Sequence, residues 1–193
     1  MNCSACYDLL LSPLERRFLS ACRSRLCAGL SGQIVEAGAG TGLNFSHYGQ
    51  HCRVLAIEPD AAMRERACQR ANSHIEVVAG RAEQIPLPAH SVDHWVGTLV
   101  LCSVNEVAAV LAEARRVLKP EGRLHLLEHE RGSAAWGRVH DLLTPAWSWL
   151  SGGCHLNRRP RLSLEAAGFG LDSWETVFRV GGSPFQMGSA RSV

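Results

Sequence analysis

The sequence predicts an open, mostly parallel α/β sheet with helices on both faces. The first of three observations is that a short apolar run, Ile34 and Val35, passes through Glu36 into glycines at 38, 40 and 42, as when a buried strand turns sharply into a loop. The second is a continuous apolar run, Val54 to Ile57, which is what a strand covered by helices on both sides looks like; it stops at an acid, Glu58. The third is that strand-like and helix-like patterns keep alternating downstream, without internal repeat or low-complexity segment.

The chain has 193 residues, 46% hydrophobic and 20% charged, enough for one domain with a full core. A formal charge of +2 spread along the chain argues against nucleic acid, which needs a concentrated basic stripe. No apolar run approaches the ~20 residues that span a bilayer, and Leu9 to Leu11 is too short for a signal-peptide core, so stable membrane insertion is not expected and a cytoplasmic location is. Eight scattered cysteines do not form a secreted disulfide framework and read as reduced thiols. Cys3-x-x-Cys6 is half a zinc motif with no second half, so no metal site is predicted.

In chain order, Tyr7 to about Ala28 has helical apolar spacing and reads as a cover for the sheet or a lid over a ligand. Next comes the strand at Ile34, the glycine loop, and a first helical turn over Asn44 to Tyr48 whose free N–H groups would face a ligand. Arg53 to Pro59 is the second strand, and Asp60 caps a helix from Ala61 to about Ala71. Ile75 to Ala79 and Val92 to Val100 are the third and fourth strands. The helix from Asn105 to Leu118 is stopped by Lys119-Pro120-Glu121-Gly122, and Arg123 to His129 is the fifth strand. Ala134 to Leu150 holds three of the five tryptophans, which a substrate pocket would explain, so residues 134–160 read as a substrate-side insertion. A short helix, Arg161 to Ala167, precedes two closing antiparallel strands joined by Gly181-Gly182.

The glycine spacing selects among ligands. A dinucleotide fingerprint wants G-x-G-x-x-G beside a pyrophosphate, whereas here the spacing is G-x-G-x-G, Leu43 takes the third glycine's place, and Glu36 adds negative charge. That charge suits a cation such as the sulfonium of S-adenosylmethionine. Glu58, about 20 positions beyond the loop at the tip of the adjacent strand, is placed to accept from both hydroxyls of a ribose.

VEAGAGTG, AIEPD, GRAEQIPLPAHSVD, TLVLCSV and ARRVLKPEGRLHLLEH together resemble the class I S-adenosylmethionine-dependent methyltransferases over nearly the entire chain. TLVLCSV with Trp136, Pro145, Trp147 and Gly153-Cys154 is similar to the alkyl-thiol S-methyltransferases and their soluble bacterial relatives. The resemblance implies one Rossmann-like domain over 1–193, a seven-stranded sheet in the order 3-2-1-4-5-7-6 with strand 7 antiparallel, and S-adenosylhomocysteine as product. It implies Glu36, Gly38, Gly40, Thr41, Gly42 and Asn44 around the methionine and ribose parts, Glu58 on the ribose diol, Pro59 and Met63 beside adenine, Ala82 and Glu83 at its edge, and Thr98 and Leu99 near the methionine part. Arg81 stands where relatives commonly carry an adenine-accepting Asp, and Arg has no acceptor.

Methyl transfer asks the protein to position and desolvate more than to supply a nucleophile. For a small thiol acceptor, His129 and His155 are candidate hydrogen-bonding imidazoles, and Cys154 with Cys102 a candidate exchange pair. Asp141 is the candidate base for an amine. The expectation is S-methylation of a small, lipophile-compatible thiol; the alternatives are N-methylation of an amine or phospholipid headgroup, or a catalytically idle cofactor-binding domain.

Overall fold

The computed structural model describes residues 12–193, so Cys3-x-x-Cys6 and the part of the expected first helix from Tyr7 to Leu11 lie outside the described residues. Seven strands alternate with helices: β1 (Gly32–Ala37), β2 (Cys52–Ile57), β3 (Ile75–Val78), β4 (Val92–Thr98), β5 (Leu118–His129), β6 (Phe169–Val180) and β7 (Ser183–Ser192). The sheet order is β3-β2-β1-β4-β5-β7-β6, with β7 antiparallel to both its neighbours and the others parallel, as the resemblance implied.

Because successive strand residues point to opposite faces, each strand feeds two cores. Val35, Trp95 and Leu126 pack on one face under α3 (Val107–Val117) and α5 (Pro160–Ala166), through Val110, Leu111, Ala114 and Leu164. Ile34, Val96 and Leu127 pack on the other, under α1 (Ser20–Cys27) and α2 (Ala61–Arg70), through Cys22, Leu26 and Ala67. Two-sided burial is why β2 reads as an unbroken apolar run.

The N-terminal helix enters as a π-helical turn, Glu15–Leu19, before α1. Phe18 of that turn stacks on Phe178, which stacks on Phe185, with centroids 4.8 and 4.4 Å apart, clamping the helix to β6 and β7. The β6–β7 connection is the expected glycine pair: Gly181 and Gly182 both have positive φ, and Val180 pairs with Ser183.

Three expectations are corrected. The segment after the glycine loop is a single 3-10 turn, Phe45–His47, rather than the start of an α-helix, because Tyr48 already has extended backbone. Lys119 to Gly122 ends α3 but belongs to β5: Leu118 pairs with Val92, and the ladder shifts register before His94 meets Arg123. In α4 (Ala134–Ser151) the tryptophans are not gathered into a pocket; Trp149 is 86% exposed and Trp136 50%.

Candidate active site

The strand tips of β1, β2 and β4 converge on a cavity of about 380 Å³, at the carboxyl edge where open α/β sheets hold ligands. Its wall includes Glu36, Gly38, Gly40, Thr41, Glu58, Pro59, Met63, Arg81, Ala82, Glu83, Thr98 and Leu99, twelve of the fourteen positions expected around the cofactor. Gly42 is not on this wall: a Cβ there would stand 2.7 Å from the Phe45 ring, so its missing side chain serves packing. Asn44 stands behind the wall, donating through Nδ2 to Glu36 Oε1 (3.0 Å) and Thr98 Oγ1 (3.1 Å).

The glycine loop is built for close approach rather than for phosphate. Gly40 has φ +57 and open space where a Cβ would be, so the backbone itself forms the surface. The N–H groups a phosphate would want are already engaged: Ala39 donates to the Ile57 carbonyl (3.0 Å), Gly40 to Glu58 Oε2 (2.8 Å) and Gly42 to the Ala39 carbonyl (2.9 Å). Glu58 also accepts from the Asp60 N–H (2.9 Å), which leaves each carboxylate oxygen with further acceptor capacity. Burial raises its pKa, against the backbone donors that stabilise its charge.

Glu36 is the most heavily supported group at the site. Tyr48 Oη donates to Oε2 (2.7 Å), Asn44 holds Oε1, and Arg23 of α1 reaches Asn44 Oδ1 (2.9 Å) while pairing with Glu15 (3.0 Å). Burial pushes the Glu36 carboxyl up to about 7 in spite of Tyr48, Arg23 and Asn44, which all favour the charge. A buried carboxyl poised near neutrality on a cavity wall favours a cationic ligand, and Glu36 with the buried Glu58 fits the sulfonium and ribose of S-adenosylmethionine better than a pyrophosphate. Leu99, with φ +55, turns the chain from β4 along the same wall and is anchored by its N–H to the Leu127 carbonyl (2.8 Å). Arg81 is largely exposed, 3.7 Å from Glu83.

The expected catalytic residues separate into three places. His129, at the tip of β5, lies beside Cys154, with Nε2 3.1 Å from Sγ; together with Cys102 their ligand atoms lie within 4.8 Å of one another. The Cys102 thiol and then the His129 imidazole hold Cys154 down at about 4 against its burial, while contact with Cys154 and desolvation push Cys102 well up. His155 is turned toward the backbone, its ring Nδ1 3.3 Å from the Cys102 carbonyl, which also accepts its main-chain N–H at 2.8 Å. Asp141 is corrected as a base: Arg131 grips both its oxygens (3.0 and 2.5 Å) and holds its carboxyl below the usual range. None of these four lines the large cavity, whose wall also includes Val100, Ser103, Val104, Asn105, Ser151 and Gly152.

Sequence reasoning missed Tyr48, which donates to Glu36, Arg23, which holds Asn44 behind it, and Glu128, which accepts from the Val100 and Leu101 N–H groups (both 2.7 Å) and so fixes the turn after β4. Glu128 carried a signal, a carboxylate at the end of an apolar strand, and burial lifts it to about 7. It also missed His140, which accepts from the Gly132 N–H at Nδ1 (3.0 Å) and places Nε2 3.1 Å from the Gly181 carbonyl, tying α4 to the β6–β7 turn.

Residues 35–126 match the family described as methyltransferase domain. The chain is 37% identical over 152 residues to thiol S-methyltransferase TMT1A of Homo sapiens, covering 74% of this chain and 62% of that protein. To thiol S-methyltransferase TMT1B of Rattus norvegicus it is 37% identical over 147 residues, 70% of this chain and 59% of that protein, so it spans about three fifths of these relatives. In fold it is similar to geranyl diphosphate methyltransferase in complex with SAM, with a TM-score of 0.77 at 15% identity, covering 98% of this chain and 90% of that one. A possible histamine N-methyltransferase from Thermotoga maritima gives 0.70 at 23% identity, covering 97% and 98%. Residues 35–126 therefore carry the match to a methyltransferase domain, and in strand order and glycine-loop cavity the chain is similar to the class I S-adenosylmethionine-dependent methyltransferases, with the thiol S-methyltransferases among its relatives.

Proposed function

We propose that this protein transfers the methyl group of S-adenosylmethionine to the sulfur of a small thiol. The observation that carries the reading is the cavity walled by two buried acids, Glu36 and Glu58, beside a glycine loop whose Ala39, Gly40 and Gly42 N–H groups are spent within the fold. When bound, S-adenosylmethionine supplies a methyl carbon already activated by its sulfonium. Glu58 would accept from the ribose hydroxyls, Glu36 would set its charge against the cation, and Pro59, Met63 and Ala82 would border adenine, with Arg81 offering a planar head in place of an acceptor. Thr98 and the Leu99 turn would border the methionine part. The wall of Ser103, Asn105, Ser151 and Gly152 would hold the acceptor near contact, roughly 3 Å from the carbon, and keep water out.

The thiol is favoured by the similarity to thiol S-methyltransferases, and by Asp141, the candidate base for an amine, being paired with Arg131 and off the cavity wall. A lipophilic acceptor is favoured by α4, whose Leu142, Trp149 and Leu150 are 80, 86 and 71% exposed on the helix that ends at the cavity wall. Among the described residues no helix is long and apolar enough to cross a membrane. The test is release of S-adenosylhomocysteine from S-adenosylmethionine in the presence of small thiols, amines or dispersed phospholipids. Turnover confined to thiols is expected; turnover with amines or lipids alone, or binding of NADH without S-adenosylmethionine, overturns the reading.

A further inference from the structure

We propose that Cys102, His129 and Cys154 form a binding site for one thiophilic divalent cation, with zinc the best fit to the ligand set. Their two sulfurs and imidazole nitrogen lie within 4.8 Å of one another, with Nε2 of His129 only 3.1 Å from Cys154 Sγ. Two thiolates and one imidazole are a donor set that zinc accepts with a fourth position left open, and soft sulfur ligands select it over magnesium or calcium. Cys102 and His129 are buried and Cys154 is half-buried, so the donors sit where few waters compete.

Each ligand arrives on a fixed support. Cys102 follows β4 in a turn whose Ser103 and Val104 N–H groups both donate to the Val100 carbonyl. Its own carbonyl receives the His155 N–H, which ties this turn to the one carrying Cys154. His129 closes β5, paired with Phe185 of β7, whose ring is 5.9 Å from the imidazole. Cys154 follows the left-handed Gly152 that ends α4, and its N–H donates to Ser151 Oγ (3.2 Å). The sequence concealed the site because its ligands are separated by 27 and 25 residues rather than by a short motif, and only the β4, β5 and α4 ends bring them together.

The site adjoins the proposed acceptor wall. Cys102 Sγ is 3.4 Å from Ser103 Oγ, and Cys154 is held by Ser151; both serines line the large cavity. On the thiol-transfer reading, an acceptor thiol is the fourth ligand: its sulfur would bind the cation and its proton would leave to solvent. Cation binding itself does not depend on that reading.

The test uses the full chain, reduced, stripped with a chelator under anaerobic conditions, and titrated with cobalt(II) and then with zinc against a chromophoric competitor. One equivalent per chain is expected, and cobalt should show tetrahedral d–d bands with thiolate charge transfer, a count of sulfur ligands that requires no variant. C102S and C154S should each lower zinc affinity by at least about 100-fold, whereas C3S/C6S and C68S should keep the equivalent. No stoichiometric binding by the reduced chain, binding that survives C154S, or binding lost in C3S/C6S overturns the site. A Cys102–Cys154 disulfide in protein isolated with zinc present does so too. A small alkanethiol should shift the cobalt charge-transfer bands; an unshifted spectrum overturns the fourth-ligand assignment. Thiol methylation that fails while cobalt binds as expected overturns the function reading and not the cation site.

Discussion

Glu36 and Glu58 decide the chemistry of the large cavity, and they do so differently. Glu58 is held by two backbone donors, so Glu58→Gln keeps its shape but weakens both the Gly40 contact and the ribose contact proposed for it. Hydrogen bonds to a charged group are worth about 1.5–3 kcal/mol, so S-adenosylmethionine affinity should fall roughly 10- to 100-fold, read by calorimetry, with little loss of secondary structure by circular dichroism. Glu36 makes stability depend on pH. Its carboxyl rises from 4.5 to about 7 on folding, so between these values the folded chain keeps a proton that the unfolded chain has released. That contribution is complete below 4.5 and is lost as pH rises through about 7, amounting to about 3 kcal/mol. Urea unfolding at several pH values should show Glu36→Gln flattening this slope. A cationic ligand favours the ionised carboxylate, so affinity for S-adenosylmethionine should rise across the same window in the natural chain and not in the variant.

At the scale of elements, helix ends and turns set where functional side chains stand. The N-terminal helix does more than cover the sheet: through Arg23 it reaches Asn44, and through Asn44 both Glu36 and Thr98. α4 has few buried side chains, only Gly137, His140 and Thr144 among its eighteen residues, and is positioned by its ends. One of those supports is the β6–β7 turn, where Gly182 has φ +77 and a Cβ would fall 2.2 Å from the Trp136 ring. Gly182→Ala therefore meets a left-handed backbone and a displaced indole together. It should cost roughly 1–3 kcal/mol in denaturant unfolding, with a red shift in tryptophan emission as Trp136 moves outward.

For the whole molecule, the placement of β7 between β5 and β6 makes the end of the chain structural. β7 brings Phe185, Met187 and Ala190 into the two cores and supplies the pairing on which β6 depends. A chain ending at Val180 should not fold, and should show neither a cooperative thermal transition nor S-adenosylmethionine binding. The sequence by itself determined the class of fold, the strand tips and most of the residues that line the large cavity. Those features rest on local physics: two-sided burial makes strands apolar, positive φ calls for glycine at 38 and 40, and Glu58 ends an apolar run. Only the tertiary structure decided the rest. For Asp141 the sequence left open a base or a salt-bridge partner until Arg131, ten residues away, was found gripping it, and the tryptophans of α4 looked like a pocket until their exposure was seen. Glu36 is lifted to near neutrality by its burial, against Tyr48, Arg23 and Asn44, which come from elsewhere in the fold, and Cys102, His129 and Cys154 meet only because β4 and β5 are adjacent and α4 returns its end to them. Charge, burial and ligand geometry depend on what lies across space, and sequence spacing carries that information only when the partners share one helix, strand or turn.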